Sequence, residues 1–422
     1  MHSQKTMRAR TWLIAVVALT TLSTACAAQT DDGSSGAKSD VLGDTVKVGG
    51  LVTRTSAIGY TTAAAEIGAK ARFERANAEG GVHGRTVDFT GAQDDAMNPA
   101  TADAAVKELV QREEVFAIVP WVAFGAGAAN AADEAGVSRW GWAVSSLWCG
   151  SKTAFGVSGC MQPPETTDPD RTWSRAVTAH LLAEELGGTD GTADGQTVWI
   201  QGFDNSESSE GVKSSVGLFD ASGYRVVGSS SSIPSATPPQ DWLPYVNKIM
   251  ESDNGGPPDV VFSVMSGKTN LSMIGALRKA GYQGAIIDAA SYDPNLLADP
   301  QAAQVLEGVY TVSQFAPFEA DTPEMRTLMD DVRAIDPDHQ FTQATALGYW
   351  SADVFLKALS DAGKDLTAES FLSAAGEMTY ENPALGTLTF PLNSTEPTPC
   401  GSLVQVRQGE YVMAQPLKCF TK

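Results

Sequence analysis

The sequence predicts an α/β protein made of two similar units, each a parallel sheet flanked by helices. Three observations carry that expectation. Short apolar runs alternate with longer segments of helical spacing, which is the pattern of repeated β-α units. The alternation breaks once, between Cys149 and Arg171, and resumes with the same design. The chain has 422 residues, too long for one ordinary core and suited to two domains.

The first unit opens with a strand-like run at 46–51. A helix at 61–79 follows, with Ala64, Ile67 and Ala71 at helical spacing. A strand at 86–91, a helix at 99–112, an apolar strand at 115–121, an alanine-rich helix at 123–135 and a strand at 139–143 complete it. Glycines and the pair Pro163-Pro164 then mark a joint near residues 158–170. The second unit reads as helices at 172–186, 207–221, 240–251 and 269–280, interleaved with strands at 198–202, 225–228, 259–263 and 285–289. Helical segments at 323–335, 342–362 and 368–374 must pack on one of the two units. The end is β: a strand at 387–390, then a hairpin of 403–406 with 411–414 turning at Gln408-Gly409.

The first 25 residues read as a secretory leader. Lys5, Arg8 and Arg10 precede an apolar run at 12–22, too short to span a bilayer comfortably, and Ser23-Thr24-Ala25 lead into a lone Cys26. A cysteine straight after small residues is where bacterial lipoproteins are cleaved and lipidated. Ser23 stands where a leucine is usual, with Leu22 one step back, so ordinary secretion and an uncleaved anchor are the alternatives. The expected location is extracytoplasmic, with Cys26 as a lipid anchor and residues 26–44, small and polar, as a flexible tether. No other apolar stretch is long enough for a transmembrane helix.

The formal charge of −21 becomes −24 without the three basic leader residues. Such a surface argues against nucleic acid and anionic membranes as partners. Four cysteines remain beyond Cys26: Cys149, Cys160, Cys400 and Cys419. An oxidising location favours disulfides, and of the three possible pairings sequence proximity favours Cys149–Cys160 and Cys400–Cys419. The histidines are few and scattered, with no metal-binding spacing, and no nucleophile-elbow motif occurs, so neither a metal, a cofactor nor catalysis is expected. The run Gly125-Ala-Gly-Ala-Ala-Asn follows a strand as a dinucleotide turn would. It comes after the third strand, however, and no acidic residue follows at ribose distance. Its helix start is read either as a seat for a ligand carboxylate or carbonyl, or as tight packing.

Several segments in order carry a family resemblance: Asp44-Thr-Val-Lys-Val-Gly, Asn77-Ala-Glu-Gly-Gly-Val-His-Gly-Arg-Thr-Val, Asp94-Asp-Ala-Met-Asn-Pro-Ala-Thr-Ala, Ala280-Gly-Tyr-Gln-Gly, Leu347-Gly-Tyr-Trp-Ser-Ala-Asp and Gly386-Thr-Leu-Thr-Phe. Over roughly residues 45–415 the chain resembles the branched-chain amino acid type of solute-binding protein, the type I periplasmic binding fold that feeds ABC importers. The resemblance implies two lobes joined by three crossovers: residues 45–157 with 314–385, and 158–313 with 386–422. It implies a monomer that captures a small solute in the interlobe cleft and hands it to a membrane permease. A ligand-sensing receptor of the same fold is the alternative, and a secreted enzyme the more distant one.

Ligands of open α/β sheets bind beyond the carboxyl ends of the strands, so candidate contacts are sought there. On the first unit they are Tyr60, the turn Trp121, Ala123, Phe124 and Gly125, and the serines Ser145 and Ser146. On the second they are Ser206 and Ser208, which equally suit helix capping, then Met265, Ser266 and Asp288. Asp288 would hold a ligand ammonium or amide, or pair with Lys268. Trp121 and Trp148 are read as aromatic walls or as packing, whereas Trp140 and Trp142 share a strand and suit the core. The amino-acid binders carry a Ser/Thr-rich third turn and an acidic residue where this chain has Ala289. The expected solutes therefore include amides and aromatic or apolar acids beside amino acids.

Overall fold

The computed structural model describes residues 43–124 and 126–421; the leader, Cys26, most of the tether and Gly125 lie outside the described residues. The chain begins β1 (Thr45–Val52), α1 (Ala64–Ala78), β2 (Thr86–Asp94), α2 (Pro99–Lys107), β3 (Ala117–Val122), α3 (Ala129–Glu134), β4 (Ser138–Gly141) and β5 (Ala154–Gly156). It continues α4 (Pro169–Arg175), α5 (Val177–Glu185), β6 (Thr197–Phe203), α6 (Ser206–Ala221), β7 (Arg225–Ile233), α7 (Leu243–Met250), β8 (Val260–Ser263), α8 (Gly267–Lys279) and β9 (Ala285–Asp288). Two short helices, α9 (Pro294–Leu297) and α10 (Pro300–Leu306), lead to β10 (Tyr310–Ser313). Helices α11 (Pro323–Ile335), α12 (Gln343–Asp361) and α13 (Ala368–Gly376) precede β11 (Thr379–Asn382), β12 (Gly386–Thr389), β13 (Cys400–Arg407) and β14 (Glu410–Cys419).

These strands form a five-stranded sheet, ordered β2-β1-β3-β4-β5, a seven-stranded sheet, ordered β14-β13-β10-β9-β8-β6-β7, and an antiparallel pair of β11 with β12. The five-stranded sheet is parallel throughout, and β6 to β10 of the other are parallel too, with β13 and β14 antiparallel at its edge. That is the expected fold class. The helices start where the sequence supplies caps. Asn98, Asp168 and Asn205 each accept backbone N–H groups of the following turn, and Thr342 forms a capping box with Thr345.

The late helices settle on the first sheet, which the sequence left open. Helices α1 and α12 cross at Gly68 and Gly348. A Cβ at Gly348 would lie 1.9 Å from the Ala65 carbonyl oxygen, and one at Gly68 would lie 2.1 Å from that of Thr345. Only glycine permits an approach this close. Beneath them Trp140 stacks on Phe155 at 4.3 Å and meets Phe355 and Phe371. On the second sheet α5 and α6 lie on one face, with Leu181, Val212 and Phe219 against Val198, Phe262 and Leu403.

Some expected bounds change. The break after Cys149 holds a short strand, β5, too brief and glycine-flanked to read as one. The helix expected at 172–186 is two, α4 and α5, separated at Ala176. The helix expected at 123–135 is a 3-10 turn at Ala126–Ala128 followed by six α-helical residues. Strand β10 lay hidden behind the two proline-led helices.

The chain passes between the layers three times: after β5, after β10 and before β13. The first and third passages run side by side. The Cys160 N–H donates to the Glu396 carbonyl at 2.9 Å, and the Thr398 N–H to the Ser158 carbonyl at 2.8 Å. Disulfides Cys149–Cys160 and Cys400–Cys419 both form, the second joining paired residues of β13 and β14.

Candidate functional site

The carboxyl ends of β6, β8, β9 and β10 face the first layer, and between them lies a cavity of about 250 Å³. From the first layer Phe124 and Trp142 reach it. Their rings meet edge to face at 5.9 Å, and the Trp142 indole N–H donates to Gln314 Oε1 at 3.2 Å, in the second passage. From the second layer come Phe203, Phe262 and Val264 at strand ends, with Met265 and Ser266 behind them. The wall is mostly apolar, with a few convergent polar groups, as small-molecule sites are.

Charge is the instructive part. Among the described residues lining the cavity, Arg175 is the cation. Its Nε donates to Glu396 Oε2 at 2.6 Å, its Nη2 to Glu396 Oε1 at 2.8 Å and its Nη1 to the Pro164 carbonyl at 2.9 Å. All three nitrogens are thus committed to the passages. Burial opposes the Glu396 charge, but hydrogen bonds from Arg175 and Arg171 outweigh it and hold this carboxyl below its ordinary range. Three buried polar atoms of residues around the cavity have no hydrogen-bond partner among the described residues: Ser158 Oγ, Gln162 Oε1 and Thr398 Oγ1. Ser158 is fully buried and none of the three atoms has open surface, so they lie behind the wall and are not displayed to the cavity.

The expected contacts sort unevenly. Phe124, Ser208, Met265 and Ser266 line the cavity. Ser208 also fastens the loops, since its Oγ donates to the Val264 carbonyl at 3.1 Å and accepts the Phe203 N–H at 2.8 Å. Trp121, Ala123 and Ser145 line a recess of only about 10 Å³ that adjoins Phe124. Trp121 packs on Trp148, with the Arg139 guanidinium 5.9 Å from its ring centroid and 5.4 Å from that of Trp148. Ser146 and Ser206 are exposed at helix starts and outside the cavity wall. Tyr60 sets its ring edge on Phe124 at 5.5 Å; burial, with Asp293 and Asp288 nearby, raises its hydroxyl pKa.

Asp288 is held differently from either expectation. It is fully buried and accepts from Asn270 Nδ2 at 2.9 Å, Thr311 Oγ1 at 3.0 Å, the Ser291 N–H at 3.1 Å, the Ala290 N–H at 3.3 Å and the Ser291 hydroxyl. Its partners are neutral groups of the protein, and Lys268 is not among them. Burial, partly offset by these bonds, raises its pKa. Lys268 instead serves the other layer through its backbone. Its N–H donates to the Ile58 carbonyl at 2.8 Å, beside Gly267 at φ 64°. The two layers therefore touch next to Ser266 of the cavity wall.

Trp142 is the principal residue that the sequence reading placed elsewhere. Strand β4 ends at Gly141, so the period-two rule that grouped Trp142 with Trp140 stops one residue short of it. Ser158, Gln162 and Thr398 sit on irregular passages, where no periodicity could single them out.

Comparison with known proteins agrees with this geometry. The family model described as periplasmic binding protein matches residues 45–410. A benzoate complex of an ABC-transporter solute-binding protein from R. palustris is 17% identical, with a TM-score of 0.67, covering 89% of this chain and 98% of that one. A fatty acid ABC transporter substrate-binding protein from Thermomonospora curvata is 20% identical, with a TM-score of 0.71 and coverage of 92% and 95%. A leucine-binding protein from Thermotoga maritima is 18% identical, with a TM-score of 0.66 and coverage of 87% and 97%. No curated protein matches the chain significantly.

Proposed function

We propose that this chain, which belongs to the periplasmic binding protein family, captures a small, mostly apolar organic solute between its two sheet layers and presents it to an ABC permease. The cavity at the strand ends supports this reading most strongly: an apolar wall and a neutralised cation. An α-amino acid zwitterion needs two opposite charges met at one place. Here the cation on the described wall, the Arg175 guanidinium, is spent on Glu396, while Glu207 is the carboxylate on that wall, so a ligand carboxylate finds no free cation among the described lining residues. An aromatic or aliphatic solute with an amide, hydroxyl or hydrogen-bonded carboxylate head suits the site better. Solute-binding relatives whose names include benzoate and fatty acid are consistent with that chemistry.

Binding makes and breaks no bond. The solute contacts Phe124 and Trp142 on one layer and the strand ends of the other. Closure follows from its greater affinity for the form in which both sides touch it. In this reading Cys26 carries the lipid that keeps the protein at the outer face of the membrane, and the protein acts as a monomer.

A thermal-shift screen tests the proposal, with pools of aromatic acids and amides, aliphatic amides, amino acids and sugars. A ligand at a hundred times its Kd adds about 2.7 kcal/mol, so an aromatic or apolar pool is expected to raise the Tm clearly. A shift confined to leucine and valine would contradict the ligand class, and silence in every pool would contradict solute capture.

A further inference from the structure

The cavity does not stop at the cleft. Glu207 and Ser208, then Gly211, then Ser214 and Ser215, then Leu218 line it in succession, one face of α6 followed over three turns. At 1.5 Å per residue that wall is about 16 Å long, more than a single ring requires. The cause is the packing of the second sheet. Helix α5 lies against β13 and β14 and α6 against β6 and β7, so the strands between them are incompletely covered on that face. Val177 of α5 forms the facing wall, while Phe262, Val312 and Gly401 form an apolar floor. Gly211 keeps the gap open, since a Cβ there would meet nothing nearer than Gln162 Nε2 at 3.7 Å.

We propose that the gap between α5 and α6 receives the tail of an elongated solute, an unbranched alkyl or acyl chain, with its polar head toward the cleft. The inference rests on the solute-binding reading of the cavity and names the class of solute within it. Each methylene that moves from water onto this floor is expected to tighten binding about fourfold, until the gap is filled.

Calorimetric titration with butyramide, hexanamide, octanamide and decanamide tests it, alongside benzamide and benzoate as compact probes. Affinity is expected to climb along the amide series. Ser215→Leu would fill the gap with a residue that favours helix more than serine does. It should flatten the climb and leave benzamide or benzoate binding within about twofold. Ser214→Leu, its neighbour on the same wall, should do the same, which guards against one variant that fails to fold. Compact probes that bind with no dependence on chain length would overturn the tail site and spare the solute-binding reading. So would a climb that both variants leave intact. If no probe binds, and the thermal-shift pools are also silent, both readings fall.

Discussion

Replacing Gly267 by alanine is expected to weaken solute binding by tenfold or more while lowering the Tm of the unliganded protein only modestly. Gly267 opens α8 at φ 64°, a left-handed conformation that costs an L-residue roughly 1–2 kcal/mol. That cost falls on every form of the protein and accounts for the small loss of Tm. The larger effect comes from contact between the layers. A Cβ at Gly267 would lie 2.5 Å from the Ile58 carbonyl oxygen and 3.2 Å from Tyr60 Cβ, while the neighbouring Lys268 N–H donates to that same carbonyl. Backbone cannot yield cheaply, so the loops must part and the hydrogen bond, worth about 1 kcal/mol net, is lost. Together these handicap the closed form, and ligand affinity falls by the same free energy. Calorimetric titration and thermal melts of the same variant separate the two effects. Unchanged affinity would show that the Ile58–Lys268 contact has no part in closure.

Replacing Asp288 by alanine is expected to do the reverse, with a loss of about 3–5 kcal/mol of stability and little change in solute affinity. One buried carboxylate gathers five donors from the α8 helix, the turn after β9 and strand β10. Without it Asn270, Ser291 and Thr311 keep buried donors with no acceptor, each costing about 1–3 kcal/mol. The sign of the pH dependence follows from the raised pKa. Relative to the unfolded chain, where aspartate titrates near its ordinary value of 3.8, the folded protein holds this proton more readily. The stability linked to that proton is fully present below 3.8 and is lost as pH rises through the folded value. The margin of wild type over Asp288→Ala should therefore be wider in acid than at neutrality, as denaturant melts across pH would show. Loss of binding without loss of stability would instead place Asp288 against the solute.

The two results bear on how far the sequence could be read. The alternation of strands and helices was legible because each parallel strand is an apolar run and each covering helix keeps one apolar face. Elements whose neighbours decide them were not: β5 is three residues among glycines, and Ala176 divides one helical pattern into α4 and α5. The strand-end rule led to Phe124, Ser208, Met265 and Ser266, all on the cavity wall. It also led to Asp288, since a carboxylate at a strand end looks alike whether it faces a ligand or a ring of buried donors. Trp142 depended on where β4 stops, and Ser158 and Thr398 on two passages, distant in sequence, lying side by side. Tertiary contacts of that kind leave no local pattern.

In this reading the solute sits between the layers at the strand ends, held mainly by apolar walls. A crystal structure of the complex with the solute giving the largest thermal shift tests it most directly. That solute is expected in contact with Phe124, Trp142 and Phe262, with the Arg175–Glu396 pair intact. A solute bound outside this cavity, or one that draws Arg175 away from Glu396 to meet its charge, would contradict it.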